Sequence, residues 1–229
     1  MIFIEQTPLA GVIFDMDGLM FDTETVYTET WPPAAREFGY EVSKQQVVGA
    51  IGLNAEAGEA YFKGLFGEDF PFYPIRKRRL QLAEENIRTY GLRPKKGLHH
   101  LIDYLKSRQI PIAVATSRDR ARVNWYMSLA QLTDVFDAVV CGDEVEKSKP
   151  EPDIFLAAAK KIKADIGHCI VLEDSENGIR AAHRAGAFAV MVPDYKQPDE
   201  ALRQCTYRVF SDLDEVCDFL EQQNSRGDV

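Results

Sequence analysis

Two patterns of hydrophobic and polar positions divide the chain. Residues 23–90 are polar, with apolar positions at helical spacing and no run typical of a strand. From residue 92 onwards, short apolar runs alternate with amphipathic segments, the first of which has apolar residues at i, i+3, i+4 and i+7 counted from Leu98. Strands that alternate with helices in this way predict a parallel sheet with helices on both faces.

The predicted strands are short apolar runs, and the first of them lies before the helical segment. They cover residues 12–14, 111–116, 138–141, 169–173, 187–192 and 207–210. Helices are predicted at 23–39, with a kink or break at Pro32-Pro33, and at 44–50, 55–65, 75–90, 98–105, 119–130, 153–162, 176–185 and 213–220. Residues 66–74 are predicted to form a loop, and residues 222–229 to be disordered.

The first strand belongs to the same sheet as the later ones, so the helical segment is an insertion. We therefore predict an α/β fold with two parts. Residues 1–21 and 91–229 form a Rossmann-like core domain with a parallel sheet, and residues 22–90 form an inserted all-helical domain. A chain of 229 residues with 45% hydrophobic residues is long enough to build both.

The composition narrows the classes of partner and the compartment. A formal net charge of −9 argues against non-specific nucleic-acid binding, which needs a basic surface. The four cysteines lie far apart without a C-x-x-C pair, so their spacing predicts neither a disulfide framework nor a zinc site. The N-terminus lacks the pattern of a signal peptide, and no apolar run approaches the ~20 residues of a membrane helix. We expect a cytoplasmic protein with no nucleic-acid or membrane partner.

Two aspartates follow the first predicted strand at once. Asp15 and Asp17 are two positions apart, which aims both side chains to the same side, and Gly18 then lets the backbone turn. Two carboxylates this close resist joint ionisation unless a cation or a shared proton relieves the repulsion. A calcium-binding loop would need a third ligand before its glycine. An acidic surface turn is the alternative, but the apolar run before Asp15 requires burial.

Polar residues also follow two other predicted strands. The second strand ends at Thr116-Ser117, which either binds phosphoryl oxygens at a helix N-terminus or caps the next helix. The strand 169–173 ends at Glu173-Asp174. Ligands of parallel sheets bind at the carboxyl ends of the strands, and two acidic pairs there predict an oxygen-rich site suited to Mg²⁺.

Lys149 stands in a rigid loop before a predicted helix. Pro150 and Pro152 flank it on one side and stiffen the helix entry. A loop lysine is usually solvated, but this presentation favours a functional role.

These four pieces together resemble the motifs of the haloacid dehalogenase superfamily, in the family's order. They are Asp15-x-Asp17-Gly18 with Asp22-Thr23-Glu24, then Thr116, Lys149-Pro150 and Glu173-Asp174. Residues 149–155 and 173–179 look like the versions found in β-phosphoglucomutase and its phosphatase relatives. The resemblance covers nearly the whole chain, and it implies that the helical insertion is that group's cap domain.

The resemblance also implies a role for each residue. Asp15 is the nucleophile that forms an aspartyl-phosphate, and Asp17 is the general acid and then the base. The implied metal is Mg²⁺, held by Asp15, the Asp17 backbone carbonyl and Asp174, with Glu173 ligating or supporting it. The implied binding residues for the phosphoryl oxygens are Thr116, Ser117 and Lys149. The cap would close over the site and exclude water.

Three functions are compatible with this pattern. The first is a phosphatase for a small phosphorylated metabolite of sugar-phosphate type. The second is a phosphomutase, but Tyr27 occupies the position of a histidine that the mutases use, and residues 48–54 lack their arginine. The third is a non-catalytic phosphate-binding regulator. The sequence does not name the substrate, and we expect a monomer.

Overall fold

The computed structural model describes residues 2–51, 53 and 55–226. The chain divides into two compact units: Met1–Asp22 with Arg93–Val229, and Thr23–Leu92. The sequence placed these divisions one and two residues earlier, after residues 21 and 90. No helix in the described part of the chain has the length and apolar composition that a membrane crossing requires.

The described residues of the first unit form one six-stranded sheet and one short hairpin. The strands are β1 (Phe3–Ile4), β2 (Thr7–Pro8), β3 (Gly11–Phe14), β4 (Ile112–Ala115), β5 (Ala138–Val140), β6 (Cys169–Glu173), β7 (Phe188–Met191) and β8 (Arg208–Val209). The hairpin pairs β1 with β2, and the parallel sheet has the order β5-β4-β3-β6-β7-β8. The prediction of a Rossmann-like α/β fold is confirmed.

Helices surround the sheet, and the secondary structure of the described residues of the second unit is all helical. Those of the second unit are α1 (Thr23–Arg36), α2 (Lys44–Gly49), α3 (Ala55–Phe66) and α4 (Phe72–Tyr90). Those of the first are α5 (Leu98–Ser107), α6 (Arg120–Leu129), α7 (Asp153–Lys161), α8 (Glu176–Ala185), α9 (Glu200–Arg203) and α10 (Leu213–Arg226). Ile13 and Val171 pack in one apolar cluster with side chains of α7 and α8. Neighbouring strand residues point to the opposite face, so β3 is buried along its whole length.

Three local predictions were wrong. The predicted break at Pro32-Pro33 does not occur, because α1 runs through both residues, whereas the alternative of a kink stays a prediction. Helix α4 begins at Phe72, inside the predicted loop. Helix α10 continues to Arg226, so residues 222–226 are helical, whereas 227–229 lie outside the described residues. The hairpin and α9 were not predicted.

An aromatic cluster in the second unit explains two of these differences. Trp31 stacks on Phe62 with ring centroids 4.6 Å apart, and Phe62 stacks on Phe70 at 5.4 Å. Phe72 is also buried in this cluster. Burial of these rings stabilises α1 beside its prolines and anchors the first turn of α4, which a pattern of local breakers does not reveal.

Candidate active site

The carboxyl ends of β4, β3 and β6 lie side by side and carry the predicted site residues. In the sheet register Phe14 pairs with Val114 on one side and with Leu172 on the other. Asp15 and Thr116, which directly follow β3 and β4, and Glu173, the last residue of β6, are therefore brought to the same edge. The backbone N–H of Asp15 continues the ladder by donating to the Leu172 carbonyl at 3.0 Å. Asp15, Thr116 and Glu173 are all buried there.

Lys149 connects all three of these strand ends. Its Nζ donates to Asp15 Oδ1, to Glu173 Oε1 at 2.6 Å and to the Ala115 carbonyl at 3.2 Å. The side chain is only 6% exposed, and its ammonium group lies 4.9 Å from the ring centroid of Phe155. Burial acts to lower the pKa of Lys149, but the carboxylates of Asp15 and Glu173 outweigh it and raise that pKa. The lysine is therefore a buried, fully charged cation.

For Asp15, the effect of burial on the pKa outweighs the effect of the neighbouring cation. Burial raises the pKa of the Asp15 carboxyl, and the nearby charge of Glu173 adds to the increase, while Lys149 opposes both. A further cation nearby would stabilise the ionised form of a buried carboxyl whose pKa is raised in this way. Asp15, Glu173 and Asp174 each offer an oxygen within 4.8 Å of the others.

Glu173 is held from both sides. Its Oε1 accepts from Lys149, and its Oε2 accepts from the backbone N–H of Asp174 and of Ser175, both at 3.1 Å, and from Ser175 Oγ at 2.9 Å. A Cβ at Gly178 would overlap the Glu173 carboxyl group, so only glycine fits there. Both oxygens are therefore engaged by the protein, which favours a supporting role for Glu173 over direct metal ligation.

Gly18 makes comparable room for Asp174. Its φ is +79°, and a Cβ built on it would overlap the Asp174 carboxylate. The glycine after Asp17 therefore serves both the turn and the close approach of the second acidic pair.

Asp17 pairs with a residue that the sequence analysis missed. Arg118 Nε donates to Asp17 Oδ2 at 2.8 Å, and its Nη2 donates to Oδ1 at 3.0 Å. Such a two-point pair fixes the orientation of the carboxylate plane. The position of Arg118, two residues after Thr116 at the same sheet edge, was the signal available in the sequence.

The structure excludes one of the two interpretations of Thr116-Ser117, the helix cap. Asp119 caps α6, because its side chain accepts from the Arg122 N–H at 2.8 Å. The hydroxyl of Thr116 instead accepts from the Arg118 N–H at 3.2 Å, inside the loop, and Ser117 is exposed. Neither residue is the N-cap, and phosphoryl binding by both stays a prediction.

Among these described residues, the carboxylates at this sheet edge outnumber the cations. The carboxylates of Asp15, Asp17, Glu173 and Asp174 face the cations of Lys149 and Arg118 at this edge. An excess of oxygen ligands and of negative charge suits a hard divalent cation.

Comparison with known proteins now decides the family. A family model described as haloacid dehalogenase-like hydrolase matches residues 12–192. The chain belongs to this family. A fructose-1-phosphate phosphatase of Escherichia coli is 31% identical over 185 residues, which cover 80% of this chain and 96% of the relative. A phosphorylated carbohydrates phosphatase of Thermotoga maritima is 28% identical over 180 residues, with 78% and 82% covered.

A solved structure gives the same fold. The β-phosphoglucomutase of Clostridium difficile is 18% identical with a TM-score of 0.69, and the match covers 95% of this chain and 98% of that protein. The resemblance predicted from the four motifs is confirmed, and so is the predicted class of enzyme, a phosphoric monoester hydrolase.

Proposed function

We propose that this chain hydrolyses the phosphomonoester of a small, sugar-phosphate-like metabolite through an aspartyl-phosphate on Asp15, with Mg²⁺ as the cofactor. The observation that carries the proposal is the buried contact of Lys149 with both Asp15 and Glu173 at the sheet edge. The named activities of the two phosphatase relatives support the substrate class.

The residues present fit a magnesium ion. Asp15 and Asp174 would supply carboxylate oxygens, and the backbone carbonyl of Asp17 would complete the protein ligands, while Glu173 positions Lys149 and the loop after β6. When bound, the ion neutralises charge between a carboxylate nucleophile and a phosphate dianion.

Asp15 attacks phosphorus, and the bond from phosphorus to the leaving oxygen breaks as the new one forms. Asp17 donates a proton to the leaving oxygen. In the second half, Asp17 takes a proton from water, the water oxygen attacks phosphorus, and Asp15 is released with inorganic phosphate. Both steps are balanced by the single proton that Asp17 gives and recovers.

Lys149, Thr116 and Ser117 bind the transferring oxygens in this scheme. Lys149 is already desolvated and charged, so its attraction for the phosphoryl group needs no rearrangement of water. The amide groups after β4 add donors on the side of Thr116. Asp17 must exchange one of its two hydrogen bonds with Arg118 before it can reach a leaving oxygen.

The helical unit 23–92 is proposed as the cap that selects the substrate. The mutase alternative is disfavoured because Tyr27 replaces the family's histidine and no arginine occurs in 48–54. Gly52 and Asn54 of that stretch lie outside the described residues.

The test compares Asp15→Asn with wild type on a panel of sugar phosphates, with and without Mg²⁺. We expect the variant to lose turnover and the wild type to need Mg²⁺, because an amide is a poor nucleophile. Asp103→Asn, on the exposed side of α5, is the matched control and should behave as wild type. A variant that keeps more than about a tenth of the wild-type rate would remove Asp15 from the mechanism, since loss of a nucleophile costs far more.

A further inference from the structure

A second group of potential ligands lies away from the sheet edge, where α5 packs against α10. His100 of α5 and Cys217 of α10 approach each other, with His100 Nε2 3.8 Å from Cys217 Sγ. Glu221 stands one turn after Cys217 on the same face of α10. The three side chains offer a nitrogen, a sulfur and an oxygen that all lie within 4.8 Å of one another.

The imidazole of His100 is already oriented for coordination. Its Nδ1 lies 3.0 Å from Asp214 Oδ1, and Asp214 is itself on α10, three residues before Cys217. Metal-binding histidines commonly donate one ring N–H to a carboxylate, which leaves the other nitrogen to bind the ion. The contact with Asp214 turns Nε2 of His100 toward Cys217 in this manner.

The spacing matches a known coordination geometry. A tetrahedral Zn²⁺ with ordinary bond lengths to sulfur and nitrogen separates those two atoms by about 3.6 Å. The observed 3.8 Å between Cys217 and His100 is within the movement of a side chain. Cys217 is buried, whereas His100 and Glu221 are exposed, so an ion has both an anchored ligand and a path from solvent.

A buried polar group beside the cluster supplies an independent observation. The hydroxyl of Tyr104 makes no hydrogen bond of normal geometry to the described residues, although Tyr104 is only 8% exposed. Tyr104 lies one turn after His100 on α5. Burial raises the pKa of its hydroxyl, the guanidinium of Arg108 beside it lowers that pKa, and the nearby Glu221 and Cys217 raise it further. An unsatisfied buried hydroxyl has a free-energy cost that a metal-bound water would relieve.

We propose that His100, Cys217 and Glu221 form a binding site for Zn²⁺ or another thiol-binding divalent cation, with water in the fourth position. Asp214 acts as the positioning residue for His100. The ion would link α5 to α10 and so stabilise the first unit without taking part in phosphoester hydrolysis. This site does not depend on the proposed phosphatase mechanism.

Another cluster of the same kind already holds two side-chain cations. Among the described residues, Cys141, Asp143 and Glu144 also lie within 4.8 Å of one another. There, however, the Glu144 carboxylate is already held by Arg120 and by Lys161, the latter at 2.7 Å. The charged groups of Arg120 and Lys161 occupy the positions around Glu144 that a metal ion would need.

The test titrates the metal-free full chain with Co²⁺ and follows the near-ultraviolet absorption of a cobalt–thiolate bond. Carboxylate sites such as Asp15 with Asp174 also bind Co²⁺ but cannot give this absorption. We expect the band in the wild type and its loss in Cys217→Ser, His100→Gln and Glu221→Gln. Asp214→Asn should weaken binding about 10–100-fold, the usual cost of losing a carboxylate partner of a ligating histidine.

His99→Gln and Cys205→Ser are the matched controls, and both should keep the band. His100 and Glu221 are exposed, so their variants keep the test valid if Cys217→Ser proves unstable. Zn²⁺ should also raise the unfolding midpoint of the wild type and of the controls, but not that of His100→Gln. A wild type without the band, a band that survives His100→Gln, or an equal loss in His99→Gln would overturn the proposal.

Discussion

Two ion-pair networks of the first unit have opposite arrangements of charge. In one, a single cation, Lys149, lies between the carboxylates of Asp15 and Glu173. In the other, a single carboxylate, Glu144, lies between Arg120 and Lys161. Each also uses a backbone carbonyl of the sheet, Ala115 in the first network and Val139 in the second. The two networks thus have the same arrangement of charged groups with the signs of the charges exchanged.

Burial separates them. The side chains of Lys149, Asp15 and Glu173 are at most 9% exposed, whereas Glu144 is 31% exposed and its partners more so. In the buried network the pKa of Asp15 is raised, chiefly by burial. In the other, burial alone would raise the pKa of Glu144, but the hydrogen bonds and charges of Lys161 and Arg120 together outweigh it and lower that pKa to about 2. Only the buried network keeps a carboxyl in a state that favours a further cation.

The first prediction breaks the buried network. Lys149→Met leaves two buried carboxylates without their partner, and we expect the free energy of unfolding to fall by about 3–5 kcal/mol, together with loss of turnover. Urea denaturation and a phosphatase assay measure the two effects. The same substitution in the exposed network, Lys161→Met, should cost no more than about 1 kcal/mol and leave turnover unchanged.

A double variant separates charge from packing. Lys149→Met with Glu173→Gln removes one of the two stranded carboxylates, so it should recover part of the lost stability but no activity. Equal destabilisation by Lys149→Met and Lys161→Met would contradict the distinction between the networks.

The second prediction concerns Arg118, which lies at the half-exposed edge of the catalytic site and orients Asp17. Arg118→Ala should lower kcat about 10–100-fold with a sugar phosphate, because Asp17 loses the contact that orients it. The loss should be smaller with an aryl phosphate, whose leaving group needs little protonation, and KM should change little. Arg118→Lys should restore part of the rate.

Arg180→Ala, which removes a half-buried arginine paired with Glu176 on α8, is the control and should have no effect on kcat. The assigned role of Arg118 is wrong if both substrates slow by the same factor, or if the change lies in KM alone.

The sequence predicted the site residues that end a strand or directly follow one. The runs at 169–173 and 176–185 coincide with β6 and α8, because continuous apolar residues and a serine N-cap mark them locally. The strands in turn place Asp15, Thr116 and Glu173 at one edge. Parallel pairing makes this inference possible from the sequence alone, since every strand ends on the same side.

What the sequence missed depends on contacts between distant residues. The pairs Arg118–Asp17 and His100–Cys217 join positions 101 and 117 residues apart, which no spacing rule relates. The prolines of α1 were misread for a similar reason, because the burial of Trp31 against Phe62 outweighs the local preference to break the helix. Tertiary packing decided each of these cases.

The smallest expected effect concerns the exposed network and its pH dependence. The folded pKa of Glu144 is lowered from 4.5 to about 2, so the native state favours the ionised form. Its stabilisation is therefore complete above about pH 4.5 and is lost as the pH falls toward about 2. Solvent screening limits the contribution to about 0.5–1 kcal/mol at neutral pH.

Glu144→Gln should thus lower the free energy of unfolding by that amount at neutral pH, and the difference from wild type should shrink as acid protonates Glu144. Urea denaturation at a series of pH values measures it, down to the lowest pH at which the native state persists. Glu146→Gln is the matched control, an exposed glutamate two residues away, and its difference should stay near zero throughout. A Glu144→Gln deficit that persists unchanged in acid would show that shape and hydrogen bonding, rather than charge, hold this network together. Any loss of turnover in Glu144→Gln would show that the network around Glu144 is coupled to the catalytic network around Lys149.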